Sequence, residues 1–378
     1  MIPNDVEILK QVRLTNYMTP YFFTSRAILK HNYETFVNLF DNAEIYYALK
    51  ANSDPKILSY LNGLGCGFEA ASFFEIEHLL QVGVSASNIM YGTSVKPPEH
   101  IEKSFQQGIT RFAADSKEEI DKIATCAPES RVFVRVIVDD TGSVFKMSER
   151  FGAPVEMAKE LVLYARQKNL KIYGISFYVG SQATEAKRWA NGLRILKPVI
   201  EELSHEGISL EMVNIGGGFP VLYDNHKEAP HLSEIVANIH NVLHQLPYIP
   251  KIIMEPGRGI VASSTVLVCT VFSRSVRNGR VWLCLDAGIY NALYEAMIHQ
   301  GSTGYTVQPF IPSQGDEPTM FCTLAGPTGD SLDIIARHAV LPEYITVGDK
   351  LIFENTGAYT VTMASAFNGF PKPELYIG

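Results

Sequence analysis

The stretch IYYALKANSDPKIL, residues 45–58, decides how the rest of the chain is read. It opens as an aromatic and apolar run of the kind found in strands buried on both faces. Lys50 stands directly at the end of that run, and Asp54 with Pro55 then opens a helical pattern. A lysine at a strand end ordinarily snorkels its ammonium into water. It acquires another meaning only where neighbouring strand ends bring useful groups to the same place.

Strand-like runs recur at residues 67–72, 88–92, 111–115, 131–138, 172–180, 210–218 and 251–258, which with 45–50 makes eight. Between them lie segments of helical periodicity such as SFFEIEHLLQVG, SKEEIDKIATCA and PVEMAKELVLYARQKN. This alternation predicts an α/β fold, a parallel (β/α)8 barrel over residues 28–262. Beyond residue 262 the texture changes to STVLVCTVFSRSV, RVWLCLDAG, MFCTLAGP and DKLIFENTGAYT, runs of strand composition joined by turns. Residues 263–378 together with 1–27 are therefore expected to form a β-sheet domain, in which IPSQGDEPT at 311–319 reads as a free loop.

Composition narrows the function. The 378 residues are 46% hydrophobic and 19% charged, the balance of a globular protein. No apolar run reaches membrane-spanning length and the N-terminus is polar, so a cytoplasmic location is expected. Five cysteines without CxxC spacing or a histidine pattern indicate neither a disulfide framework nor a metal site. A net charge of -8 without basic clusters argues against nucleic acid and anionic membranes as partners.

A barrel of this kind gathers its functional groups at the C-terminal ends of its strands. Those ends carry Lys50, Glu69, Ser72, Asp115, Arg135, Tyr178, Ser181, Gly216, Gly217, Gly218, Glu255, Gly257 and Arg258. The NIGGGFP run at 214–220 lets backbone N–H groups approach an anion, although a tight turn would account for it equally well. MEPGRGI at 254–260 adds a carboxylate and a guanidinium. An amine, a phosphate cradle and a carboxylate at one mouth suit pyridoxal 5'-phosphate, whose carbonyl, phosphate and ring nitrogen need those three partners.

The motifs YYALKANSDPKIL, GFEAASFFEI, RFAADS, GISFYVGSQ, NIGGGFP, EPGRGIVA, GPTGDSLD, TGAYT and FNGFP follow one another in a distinctive order. In that order and spacing the chain resembles the alanine-racemase-like, fold-type III pyridoxal-phosphate decarboxylases, and within them the compact bacterial ornithine decarboxylases. The resemblance implies that Lys50 condenses with the cofactor's carbonyl. It implies that Gly216, Gly217, Gly218, Ser181, Gly257 and Arg258 hold the phosphate, with Tyr359 of TGAYT reaching it from the second domain. Glu255 would pair with the pyridine nitrogen, and Glu69 and Arg135 would line the ring. Asp330 matches a carboxylate that the partner subunit supplies to hold a distal ammonium, which implies a head-to-tail homodimer with shared sites. Arg150 and Asp333 match an ion pair across that interface. Glu295, with Tyr294 beside it, is the nearest analogue of a second carboxylate for the distal amine.

Two positions depart from the pattern. Tyr178 stands where the family usually has a histidine stacked on the cofactor, a role a phenol ring can fill. Gly329 stands where the family has the cysteine that returns a proton to Cα, so Tyr178, Lys50 or a water would have to replace it. The expected activity is decarboxylation of a basic diamino acid such as ornithine or lysine, in polyamine biosynthesis. Two alternatives remain. One is a decarboxylase of a larger α-amino-acid conjugate, in peptide-nucleotide antibiotic or siderophore biosynthesis. The other is a catalytically weak homologue that regulates a polyamine enzyme.

Overall fold

In the computed structural model eight parallel strands close into a barrel in chain order: Ala43–Ala48, Gly67–Ala70, Ile89–Tyr91, Arg111–Ala114, Arg131–Val136, Lys171–Phe177, Met212–Asn214 and Lys251–Met254. The residues described are 4–40, 43–147, 149–223, 229–298, 304–312, 315 and 317–378. The last strand pairs back onto the first through Ile252 with Ala43 and Met254 with Ile45. Helices cover the outside, and their starts are written locally. Asp54 accepts the Lys56 N–H at 2.8 Å ahead of Pro55. Ser72 and Ser116 each accept the N–H of the glutamate three residues on, at 3.2 Å.

Side chains alternate between the two faces of a strand, and this period sorts the barrel residues. Tyr46, Met90, Ala113, Phe133, Tyr173, Met212 and Ile253 form one buried cluster inside the barrel. Arg111 donates to Tyr46 Oη at 2.7 Å and lies 5.5 Å over the ring of Tyr173, so the N-terminal end of the barrel is filled. Two residues further along the same face come Ala48, Arg135, Asn214 and Glu255, and Lys50 follows four residues after Tyr46. The strand period itself turns these groups toward the C-terminal mouth.

The second sheet has eight strands. Its main path runs Val307–Pro309, Lys350–Phe353, Thr265–Arg277, Arg280–Leu285, Thr319–Ala325, Ile334–Pro342. Tyr21–Thr24 joins it, antiparallel to Thr265–Arg277 and parallel to Glu374–Ile377. Asn278 and Gly279, with φ of 51° and 74°, make the two-residue turn between Thr265–Arg277 and Arg280–Leu285. A short helix, Glu295–Ile298, interrupts the β texture.

Some expected boundaries shift. The run at 210–218 yields a strand only over Met212–Asn214, because Gly216 and Gly218 take φ of +69° and +87° and leave the ladder. The run at 172–180 pairs over Lys171–Phe177. Ser181–Ala183 then makes a separate antiparallel pair with Ser143–Phe145 that the sequence did not suggest. Of the expected loop at 311–319, Ser313, Gln314 and Asp316 lie outside the described residues, and Thr319 already belongs to a strand. No helix among the described residues is long and apolar enough to cross a membrane.

Candidate active site

Lys50 sits in a single 3-10 turn, Leu49–Ala51, just past the first barrel strand. The second sheet's loop clasps this turn. Tyr359 N donates to Ala51 O at 2.8 Å, Asn52 Nδ2 to Gly357 O at 2.9 Å, and Thr362 Oγ1 to Lys50 O at 3.1 Å. Tyr359 itself has φ of 55°, an uncommon backbone for a tyrosine, held by these contacts.

The Lys50 amine lies 3.8 Å from Glu69 Oε2. Its side chain is 49% exposed, because it stands in a well that protein surrounds and the mouth leaves open. The Glu69 carboxylate holds this ammonium above the ordinary lysine value against the opposing pull of burial, with smaller help from Tyr359, Tyr178 and Glu255. Glu69 is buried, and its Oε2 has no hydrogen-bond partner among the described residues.

Glu255 faces the same well. Burial pushes its carboxyl up to about 7 and the charge of Glu69 adds to this, while the Asn214 hydrogen bond, Lys50 and Arg135 pull it down. Asn214 Nδ2 donates to Glu255 Oε1 at 2.5 Å, and Asn214 Oδ1 accepts the Gly216 N–H at 2.8 Å. Asn214 was missed in the sequence. The available signal was its place at the start of the glycine run, two residues after inward-facing Met212. Glu75 was missed too. It accepts the Ala71 N–H at 2.6 Å, and burial pushes it up to about 7.

The glycine loop leaves no room for side chains. A Cβ on Gly216, Gly217 or Gly218 would run into the backbone oxygens of Phe177, Glu255 and Gly180 respectively. Tyr178 packs against this loop, and burial pushes its hydroxyl up to about 12. The Arg135 guanidinium lies 5.8 Å from the Tyr178 ring centre. Gly257 packs against Ala48 and Ala51, and Arg258 follows it, buried, with its guanidinium 4.7 Å over the Tyr359 ring.

Three other expected residues sit differently. Glu295, expected as a carboxylate open to a distal amine, has both oxygens on Arg258, at 2.6 and 2.7 Å. A buried guanidinium attracts the nearest carboxylate more strongly than solvent does, which corrects that expectation. Tyr294 is half-buried at the start of the same short helix. Asp333, expected at an interface opposite Arg150, is buried and accepts from Ile289 N, Thr328 N and Thr328 Oγ1 at 2.7–3.0 Å. It organises its own loop. Arg150 is exposed and lies 4.8 Å over the Phe151 ring.

The loop that Asp333 braces carries Gly329, exposed, and Asp330, half-buried. Asp330 Oδ1 accepts the Leu332 N–H at 2.8 Å. Among the described residues no hydrogen bond or ion pair links this loop to Lys50, Glu69 or Glu255 within the chain.

A buried Arg258 Nε with no hydrogen-bond partner among the described residues, together with the Lys50 amine and the Glu255 carboxyl at the barrel mouth, fits pyridoxal phosphate. Comparison with known proteins agrees. Residues 26–262 match the family model described as pyridoxal-dependent decarboxylase, pyridoxal binding domain. The chain is 32% identical to the lysine/ornithine decarboxylase of Selenomonas ruminantium over 93% of its own length and 88% of that protein's. It is 30% identical to antizyme inhibitor 2 of Xenopus laevis, over 98% and 83% of the two chains. The solved structure of a lysine/ornithine decarboxylase from Vibrio vulnificus, complexed with putrescine, superposes with a TM-score of 0.87 at 27% identity, covering 100% and 99% of the chains. With the cofactor domain matched from end to end and relatives aligned along nearly its whole length, the chain belongs to the pyridoxal-dependent decarboxylases, carbon–carbon lyases that work with pyridoxal phosphate.

Proposed function

We propose that the chain decarboxylates a basic diamino acid, ornithine or lysine, at a site shared between two copies of itself in the cytoplasm. The observation that carries this reading is the convergence of Lys50, Glu69 and Glu255 on one barrel mouth beside a glycine loop and a buried arginine. Bound pyridoxal phosphate supplies an electron sink for the pair left at Cα when the carboxylate departs. Lys50 provides the amine that anchors it. Glu255, poised near 7, holds a proton at the ring nitrogen. Gly216, Gly217, Gly218, Ser181, Gly257, Arg258 and Tyr359 bind the phosphate, and Arg135 and Glu69 line the ring. Tyr178 stays protonated at neutral pH and walls the glycine loop, and it, Lys50 or a water would return the proton to Cα. Asp330, on a braced loop that among the described residues makes no hydrogen bond or ion pair to Lys50, Glu69 or Glu255, is offered to the partner's mouth to hold the distal ammonium.

Purified protein supplied with pyridoxal phosphate should release carbon dioxide and the matching diamine from L-ornithine or L-lysine. Cofactor uptake without turnover of either would overturn the diamino-acid reading. One observation favours a second reading. Among the described residues a Cβ on Gly329 would meet only Asn368 Nδ2, at 4.0 Å, and if this loop serves the partner's mouth that room would suit a bulkier α-amino-acid conjugate. The regulatory reading has support in the likeness to antizyme inhibitor 2 but leaves the Lys50, Glu69 and Glu255 set without a purpose.

A further inference from the structure

Arg258 and Glu295 form a pair whose side chains are only 5% and 9% exposed. Nη1 of the guanidinium donates to Glu295 Oε2 at 2.7 Å and Nη2 to Oε1 at 2.6 Å, while Nη1 also donates to Tyr223 Oη at 2.9 Å. A guanidinium carries five N–H donors in a fixed plane. Those three bonds leave Nε–H and one hydrogen on Nη2, which lie side by side along one edge. Nε is buried and has no hydrogen-bond partner among the described residues. The rings of Tyr359, Tyr223 and Phe145, with centres 4.7, 5.6 and 5.7 Å from Arg258 Cζ, enclose the group. The end of the fork is filled, while its Nε edge is buried without a hydrogen-bond partner among the described residues.

We infer that Glu295 is a positioning residue for the cofactor's phosphate: it takes the outer fork of Arg258 and leaves the Nε edge to receive the anion. This rests on the reading that Arg258 binds the phosphate. Two physical consequences follow. A buried guanidinium without a counter-ion is strongly unfavourable, so Glu295 lets Arg258 stay in place in the cofactor-free chain. Because the pair is already neutral, the phosphate gains from the aim of two parallel N–H bonds rather than from an excess of charge. Loss of the aim should therefore weaken binding of phosphate-bearing ligands selectively.

The test compares pyridoxal phosphate with pyridoxal, which has the same aldehyde and ring but no phosphate, by spectroscopic titration of the cofactor-free protein. Glu295→Gln keeps the shape and one acceptor but loses the second carboxylate oxygen. It should raise the dissociation constant for pyridoxal phosphate about tenfold or more, as loss of an outer-shell partner does at metal sites, and leave that for pyridoxal within about twofold. In an Arg258→Met background the further change Glu295→Gln should no longer alter the ratio of the two constants. Equal weakening of both ligands would make Glu295 merely structural, and tighter binding of pyridoxal phosphate would show that it opposes the phosphate; either overturns the inference. If Glu295→Gln does not fold, Glu295→Asp draws the carboxylate back from the same guanidinium by one methylene, and an unchanged ratio there counts against the inference. Failure of the unmodified protein to bind pyridoxal phosphate at all would instead remove the reading on which it rests.

Discussion

Asn214 donates from its side-chain amide to Glu255 Oε1 across 2.5 Å. The other end of the same amide accepts the Gly216 N–H, so one side chain ties Glu255 to the glycine loop. Asn214→Leu removes a donor that lowers the Glu255 pKa and unpins the loop. Cofactor affinity should fall about tenfold, by analogy with outer-shell partners at metal sites, as measured by pyridoxal phosphate titration. Unchanged affinity would mean that loop and acid are held independently.

Stability of the cofactor-free protein should depend on pH through Glu75 and Glu255. Both are raised from 4.5 to about 7 in the folded chain, chiefly by burial. Between those values the folded state keeps protons that the unfolded chain has released, so stability falls as pH rises through this window. The melting temperature should accordingly be lower at pH 7.5 than at pH 5, and Glu255→Gln should flatten the decline. A melting temperature that climbs over this interval contradicts the assignment.

Gly329 and Gly217 should respond oppositely to an added side chain. The Gly329 position is open, so Gly329→Cys should fold with stability within about 0.5 kcal/mol of the parent. If proton return to Cα is imperfect, the new thiol should also reduce the pyridoxamine phosphate formed per turnover, which chromatography of the released cofactor measures. At Gly217 a Cβ would strike the Glu255 carbonyl, and Gly217→Ala should lose the cofactor on desalting.

Shared sites can be tested by complementation. Lys50→Ala and Asp330→Ala should each be inactive alone, and a mixture that exchanges subunits should regain part of the activity through heterodimers that hold one intact site. No recovery after proven exchange would mean that each site is built within one chain.

The barrel was legible because its signals are local: apolar runs at strand length, and Ser72, Ser116 and Asp54 at helix starts. Lys50 and Glu255 were legible by position, as residues standing just past the ends of Ala43–Ala48 and Lys251–Met254. The Arg258–Glu295 pair was not, since it depends on where a four-residue helix of the other sheet packs against the barrel. Asp333 was misread for a related reason. Its acidic character suggests a surface, and only the folded loop reveals the backbone donors at Ile289 and Thr328 that make burial tolerable. Strand Met212–Asn214 was overextended because a glycine run continues an apolar pattern while abandoning its geometry.

Among the described residues, Tyr46, Arg111 and Tyr173 fill the end of the barrel opposite the mouth at which Lys50 stands. With the site proposed above at that mouth, amino acid, carbon dioxide and amine would all pass the rim on which Lys50 and the Tyr359 loop stand. Traffic is therefore two-way through one gate. Whatever covers that rim during turnover, whether a second subunit or a bulky product, sets entry and exit together, and product should inhibit competitively with substrate rather than by an independent route.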